Sequence, residues 1–490
     1  MTLRFGADGR FRVLQVADFQ DGPDASQDAV ELLEAALHRA HPDLVVFTGD
    51  QIRGYDPAFA STFLSRRGDE PGGTVRAVTR AQTALGRVRG LAFGLLPKRG
   101  VETVGGDCAR NDDVPDNGGN DRQAASRGMA HHADESAMSP MDVTRSRVMR
   151  TLRSMLGPVV RMGIPFAVTY GNHDFQCGLL TDEQDDMYRR FAGCLNPRPG
   201  SGPLAVEPGT FCLPVRAAKT DRIAMGVTLV DSGDYEESRS AEAETGDGEG
   251  TGRRRRLDLA DASGYGAPTS TAVRWLGDVP RIVREGNGDR RPVPVMAFQH
   301  IPPQEFYDCL HAVPFWTPNA VEGHGPFAGR CFALDTNVCR PGSRLGEGVS
   351  CSARNVGEVE AMRRAGGYIG LFCGHDHRNA FIGHVHGLDL GYTPTCGFAS
   401  YGPAARLRGV RVFDFPESDP ASYETRLLTW GDLIGRRPRR AAWAFLGDHG
   451  FADLPGLRDE LRKPRSLAVA AGVVLAFAAM RSGGRRRHGR

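Results

Sequence analysis

Five short polar motifs, ordered along the chain, constrain its fold more than any other feature: Asp18-Phe19-Gln20, Gly49-Asp50, Gly171-Asn172-His173-Asp174, Gln299-His300 and Gly374-His375-Asp376-His377. Four of the five follow a run of apolar or β-branched residues, the pattern of a polar turn at the C-terminal end of a buried strand. Together they collect carboxylate, amide and imidazole groups, the ligand set that holds two divalent or trivalent metal ions side by side. Asp18 and His377 lie about 360 positions apart. If they share a site, the chain between them must fold as one unit.

Phe11 to Ala17 alternates and reads as a strand delivering Asp18 to its end. Ser26 is an N-cap for a helix in which Val30, Leu33, Ala36 and Leu37 recur at helical spacing before Pro42. Asp43 to Thr48 is the next strand, ending in Gly49-Asp50, so the segment predicts a βαβ unit. Met141 to Leu156 reads as a helix and Ile164 to Tyr170 as a strand into the third motif. Ile223 to Val230, Val293 to Phe298 and Tyr368 to Cys373 are further strands, the last two leading to His300 and His375. Strands apolar on both faces, with helices between them, predict an α/β (α+β) sandwich of mixed sheets flanked by helices.

Two stretches interrupt this plan. About 98–140 is rich in Gly, Asp, Asn, Ser and Arg, and about 236–261 carries Arg253 to Arg256 beside an acidic Glu/Gly run; both read as surface insertions in a domain spanning 1–430. His131-His132 in the first reads as solvated, and the arginine run as soluble surface. Residues 431–465 form a C-terminal extension. In 466–490, the uncharged run Ser466 to Met480 precedes a basic tail. As a helix that run covers ~22 Å, below the usual membrane-spanning length, which leaves a membrane-associated tail, a terminal helix packed on the domain or a poorly ordered tail as alternatives.

Charge gives no global reason to expect nucleic acid or acidic partners: Lys+Arg 61 against Asp+Glu 59 leaves a net charge of +2. The ten cysteines show no C-x-x-C or other close pairing, which argues against a zinc knuckle or a dense disulfide framework. Reduced buried thiols are expected. With no apolar h-region at the N-terminus, the expected location is cytoplasmic.

The chemistry assigns roles. Water attacks a phosphate ester slowly, and two metals overcome this by lowering the pKa of a bridging water, orienting the hydroxide in line and neutralising phosphoryl oxygens. Asp50 is the natural bridging carboxylate, with Asp18 completing one metal and Asn172 the other. His300, His375 and His377 supply imidazoles, the i, i+2 spacing of the last pair letting them face different metals. Asp376 between them points outward or anchors the loop. His173 is left as general acid or phosphate contact, with Asp174 orienting its ring. Mn, Fe, Zn and Ni all accept this ligand set.

In this order the motifs resemble the signature of the calcineurin-like metallophosphoesterase superfamily, over about residues 10–415. The intervening Asp231-Ser232-Gly233-Asp234-Tyr235, Gly264-Tyr265-Gly266, His300-Ile301-Pro302, Gly346-Glu347-Gly348, and Arg408 to Val412 are similar to its purple-acid-phosphatase-like branch. The resemblance implies a four-layer αββα sandwich, hydrolysis of phosphate mono- or diesters and a small phosphorylated substrate. Two departures stand out. Gln20 occupies a position where the superfamily usually has His, so it is either a weak metal ligand or a supporting residue. Arg53 stands where a purple enzyme needs a tyrosine, so no tyrosinate-to-iron colour is expected. The competing readings are a degenerate member that binds phospho-ligands or a protein without turnover, and a membrane-surface lipid phosphate or pyrophosphate hydrolase.

Overall fold

A computed structural model describes residues 2–63, 138–236, 264–289, 291–450 and 454–463. Most of both insertions, with His131-His132 and Arg253 to Arg256, lies outside these residues, as does the run Ser466 to Met480. Among the described residues no helix is long and apolar enough to cross a membrane.

Two sheets face each other. The first has five strands: β2 (Arg10–Val16), β3 (Leu44–Thr48) and β4 (Phe166–Thr169) run parallel, while β17 (Gly409–Pro416) and β18 (Glu424–Thr429) continue beyond β2 as antiparallel partners, giving the order β18-β17-β2-β3-β4. The second has a parallel centre of β7 (Ile223–Val230), β10 (Val295–Gln299), β14 (Tyr368–Cys373) and β16 (Leu388–Tyr392). Its margins are β15 (Ile382–Val385), antiparallel to β16, and β6 (Thr210–Arg216), antiparallel to β7, with β1 (Leu3–Arg4) and β5 (Ala205–Glu207) beside β6. Two small sheets, β8 (Tyr235–Glu236) with β9 (Gly264–Tyr265), and β11 (Leu310–Val313), β12 (Val321–Glu322) and β13 (Cys331–Leu334), lie apart from them.

Period-two alternation sorts each strand between two cores. Val13, Leu44, Val46 and Ala167 of the first sheet meet Val227, Leu229, Met296, Phe298 and Phe372 of the second between the sheets. Phe413 sits edge-on to both Phe298 and Phe372, with centroids 5.4 and 4.6 Å apart. On the outer face of the first sheet, Leu14, Val16, Val45 and Phe47 receive α1 (Gln27–Ala40) and α2 (Pro140–Arg161). On that of the second, Val295, Ala297 and Leu371 receive α4 (Ser270–Glu285) and α5 (Glu358–Ala365), a short α3 (Thr181–Tyr188) following β4. Helix, sheet, sheet, helix gives the four-layer αββα sandwich. Within it, α1 follows the amphipathic spacing read from the sequence and ends where His41 turns left-handed before Pro42. Ser26 occupies its N-cap position without a side-chain cap bond.

Beyond Thr429, α6 (Trp430–Leu433), α7 (Ala441–Asp448) and α8 (Leu454–Arg462) turn back onto the sandwich. Arg439 pairs with Asp28 of α1 at 2.9 Å, and Arg378 with Glu460 of α8 at 3.0 Å. The extension is therefore fastened at two separate places.

Candidate metal centre

Strand register brings the motifs together. Parallel pairing sets Val16 beside Phe47 and Thr48 beside Thr169, so Asp18, Asp50 and Asn172 emerge at one edge of the first sheet. In the second sheet Gln299 pairs with Cys373, so His300 and Gly374-His375 emerge side by side. The gap between the sheets closes over these ends because the motif glycines carry no side chain. A Cβ on Gly171 would sit 2.3 Å from Asp50 Oδ1 and 2.7 Å from His300 Nε2. Four of the seven described non-glycine residues with positive φ are Asp18, Gln20, Asp50 and His375. Such backbone strain concentrates where function over-determines geometry.

His300 shows what the cluster needs. Its Nδ1 faces the Thr48 carbonyl oxygen at 2.9 Å; a carbonyl only accepts, so Nδ1 carries the hydrogen and Nε2 presents a lone pair. Around that Nε2 stand Asn172 Oδ1 at 3.2 Å, His375 Nδ1 at 3.2 Å and Asp50 Oδ2 at 3.3 Å. Asn172 is oriented by its Nδ2, which donates to the Tyr235 hydroxyl at 2.8 Å. Acceptors converging in a buried site require a cation or a proton between them. Burial alone would lower His300, but the Asp50 carboxylate pushes it up to about 10, so without a metal the site holds a proton there.

His377 repeats the arrangement: its Nδ1 donates to the Tyr401 carbonyl at 2.7 Å and its Nε2 faces Asp18 Oδ1 at 3.5 Å. Ligand atoms of Asp50, His300 and His375 lie within 4.8 Å of one another, as do those of Asp18, Asp50 and His377. Asp50 is common to both triplets, and the two histidines of the last motif fall in different ones. All five of these side chains are buried, and His375 Nε2 has no hydrogen-bond partner. The donor set is one that would hold metal cations, with Asp50 common to both triplets and Asn172 beside the His300 and His375 group.

Gln20 is placed at the cluster with its Nε2 3.4 Å from Asp50 Oδ2 and its Oε1 buried without a donor. The amide thus faces the bridging carboxylate. Asp376 fastens the loop rather than pointing outward: it accepts from the Ser350 N–H and from the Tyr392 hydroxyl at 2.5 Å.

Asp174 departs from expectation. Instead of orienting His173, it accepts from the backbone N–H groups of Gly171, Asp50 and Ile52, each at 2.8 Å, and so ties the second motif to the third. It is fully buried, and burial, then the Asp50 carboxylate, push it up to about 7. The group that holds His173 is Gln176, whose Oε1 lies 2.8 Å from Nδ1, with the Tyr55 ring edge-on at 4.9 Å. The reason is local: 174–177 form a single 3-10 turn, which puts Gln176 beside His173 and turns Asp174 inward. His173 Nε2 then points toward Asp50 Oδ2 at 3.9 Å from a quarter-exposed side chain. His384 and His386 stand apart, paired with Asp389 and Asp308.

A cavity of about 40 Å³ opens on the cluster, lined by Asp50, His173, His375 and His377. Its remaining wall includes Tyr265, Glu347 and His324, and Gly456 of α8. Sequence patterns gave no access to His324 or Gly456, which arrive from a long excursion and from the C-terminal extension. Gln176 had a signal, its i+3 spacing from His173. A far larger cavity of about 700 Å³ lies beside Asp21 and Arg53 and contains none of the cluster. Arg53 turns away from the centre, donating to the Ala399 carbonyl and pairing with Asp56.

No family model matches the chain. Among curated proteins it is similar to probable inactive purple acid phosphatase 29 of Arabidopsis thaliana, 23% identical over 276 residues, which are 54% of this chain and 59% of the relative. Probable inactive purple acid phosphatase 28 of the same plant is 25% identical over 279 residues, 54% of this chain and 57% of the relative. The chain thus spans less than two thirds of either relative. A solved dimetal phosphatase from Danio rerio aligns over 86% of this chain and 99% of its own at 12% identity, with a TM-score of 0.38, too low to bear on fold or function. Five motifs that meet at the strand ends of an αββα sandwich, in a chain similar to two proteins that carry the purple acid phosphatase name, support its resemblance to the calcineurin-like metallophosphoesterase superfamily.

Proposed function

We propose that the protein is a metal-dependent phosphoesterase acting on terminal phosphate esters. The observation that carries this reading is the convergence of Asn172, His375 and Asp50 acceptors on His300 Nε2, with Asp50 shared by a second triplet. Two bound cations would neutralise phosphoryl oxygens and acidify a water, the chemistry that the slow attack of water on a phosphate lacks.

The chain's own residues do the rest. Thr48 and Tyr401 carbonyls fix the tautomers of His300 and His377, so that each presents Nε2 inward. Gln176 and Tyr55 fix His173, whose Nδ1 hydrogen faces the Gln176 amide oxygen; as an imidazolium it would offer a second proton, on Nε2, at the cavity wall where a leaving alkoxide departs. Buried Asp50 and Asp18 place negative charge where cations sit, and the cavity excludes all but a few waters. A phosphoryl group with one ester substituent can enter with that substituent outside; a diester has to bury a second. The reading therefore favours monoesters.

A specific observation favours a second reading, a binding protein without turnover: Gln20 replaces an imidazole at the centre, and both curated relatives are named inactive. Hydrolysis of p-nitrophenyl phosphate and its bis ester by metal-stripped protein resupplied with Mn, Fe, Zn or Ni separates the two. Metal-dependent monoester turnover, abolished in Asp50→Asn, is the expected result; a folded, metal-loaded protein inert with every metal would leave the binding reading.

A further inference from the structure

The nine described cysteines are free thiols, and two of them meet. Cys309 ends a 3-10 turn just before β11, and Cys339 follows β13. Antiparallel pairing sets Leu310 opposite Leu334, so the chain leaves the sandwich and returns to it at one point. There the Cys309 carbonyl accepts from the Asp335 N–H at 3.0 Å and from the Cys339 thiol at 3.2 Å. Both sulfurs crowd Gly383 of β15: a Cβ on that glycine would sit 2.5 Å from Cys309 Sγ and 3.5 Å from Cys339 Sγ. Cys309 is fully buried, while Cys339 is half-buried and reachable.

From this juxtaposition we infer that Cys309 and Cys339 form a reversible disulfide, a redox-modification site that staples the base of the excursion carrying β11, β12 and β13. The oxidant is a low-molecular-weight disulfide such as oxidised glutathione. Cys339 thiolate attacks one sulfur of that disulfide, whose S–S bond breaks; the departing glutathione thiolate takes up a proton. Cys309 then loses its proton and attacks the Cys339 sulfur of the mixed disulfide, expelling the second glutathione thiolate. Two protein thiols are oxidised and one glutathione disulfide is reduced to two thiols. The order of attack follows exposure, and it agrees with hydrogen bonding between the two sulfurs, which lowers Cys339 and raises Cys309.

The staple acts on more than its own loop. The excursion supplies His324 to the cavity wall, and the carboxylate of Asp459 in α8 accepts from the Glu322 N–H at 3.0 Å, while Arg458 pairs with Glu322 at 2.6 Å. Oxidation therefore fixes the support on which α8 rests. Sequence spacing hides the pair, because 30 positions separate the two cysteines.

Full-length protein equilibrated with graded ratios of oxidised to reduced glutathione, alkylated and mapped by mass spectrometry without reductant tests the inference. The expected result is a peptide pair joined through Cys309 and Cys339, with loss of both alkylated peptides, while half-buried Cys194 takes at most a glutathione. Cys309→Ser should leave Cys339 as a glutathione adduct. The inference is overturned if both cysteines stay fully alkylated at ratios where Cys194 is modified, or if Cys339 is joined to Cys108 instead. The map of the unaltered protein decides the matter even where a variant fails to fold.

Discussion

Asp50 bears four tasks at once: it leaves β3 with positive φ, accepts from the His173 N–H at 2.8 Å, faces His300 Nε2, and belongs to both ligand triplets. Asp50→Asn keeps the shape and removes the charge, so it should lose metal and essentially all turnover, read by metal analysis beside the hydrolysis assay. His173 makes a different kind of contribution. As a proton donor to the leaving oxygen it should cost about 10²–10⁴ in kcat when changed to Ala, with little change in KM. The loss should shrink for p-nitrophenyl phosphate, whose leaving group needs no proton, relative to an alkyl phosphate; equal losses on both would refute the donor role. Gln20→His should raise metal affinity, since imidazole is the better ligand, and titration calorimetry would register it. An unchanged affinity would leave Gln20 as a partner of Asp50 only.

Among elements, α8 is the least anticipated. Its Glu460 receives Arg378 Nη1 at 3.0 Å, Lys463 at 2.9 Å and the His449 ring at 3.0 Å, while Arg378 also donates to the Asp448 and Gly450 carbonyls. Arg378 directly follows His377, so the extension is bolted to the loop carrying a histidine of the candidate cluster. Glu460→Ala leaves that guanidinium short of its partner and should cost about 3 kcal/mol locally. Its signature is faster proteolysis after residue 450 and a bis-p-nitrophenyl phosphate rate that rises relative to the monoester; an unchanged ratio would show that α8 does not set the width of the site. The strands feeding the motifs were legible because each is a short apolar run with a polar end: Ile223–Val230 and Tyr368–Cys373 match the expected limits. Asp174 was misread because a 3-10 turn redirects its side chain, a geometry that residue order does not reveal. Phe306 and Tyr307, legible only as aromatic, prove to be core, whereas Phe315 and Trp316 are exposed. His324 and Gly456 reach the cavity only through tertiary packing, so no local pattern announces them.

For the whole molecule, stability carries a pH signature at a carboxyl outside the candidate donor set. Glu358, at the start of α5, is buried with Gln299 Nε2 donating to it at 3.2 Å, and burial pushes it from 4.5 up to about 8. A carboxyl raised on folding lends stability that is complete below its unfolded value and lost as pH climbs through the folded one. Glu358 should therefore weaken the fold between about pH 5 and about pH 8, and Glu358→Gln should remove its share of the slope, gaining ~2–4 kcal/mol at the upper end by thermal or urea unfolding. A parallel pair of profiles would exclude Glu358 as the source. Chelation should lower Tm at neutral pH, because cations that bind only the folded chain stabilise it by mass action. One more consequence follows from the way the centre spans the gap between the sheets. Asp18, Asp50 and Asn172 are in place once the first sheet's parallel strands exist, but His375 and His377 are translated much later, and β17, which completes that sheet beside β2, later still. During synthesis the nascent chain thus carries half a cradle through the roughly 200 residues between Asn172 and His375, and a cation would meet the full donor set only once that second histidine motif has left the ribosome.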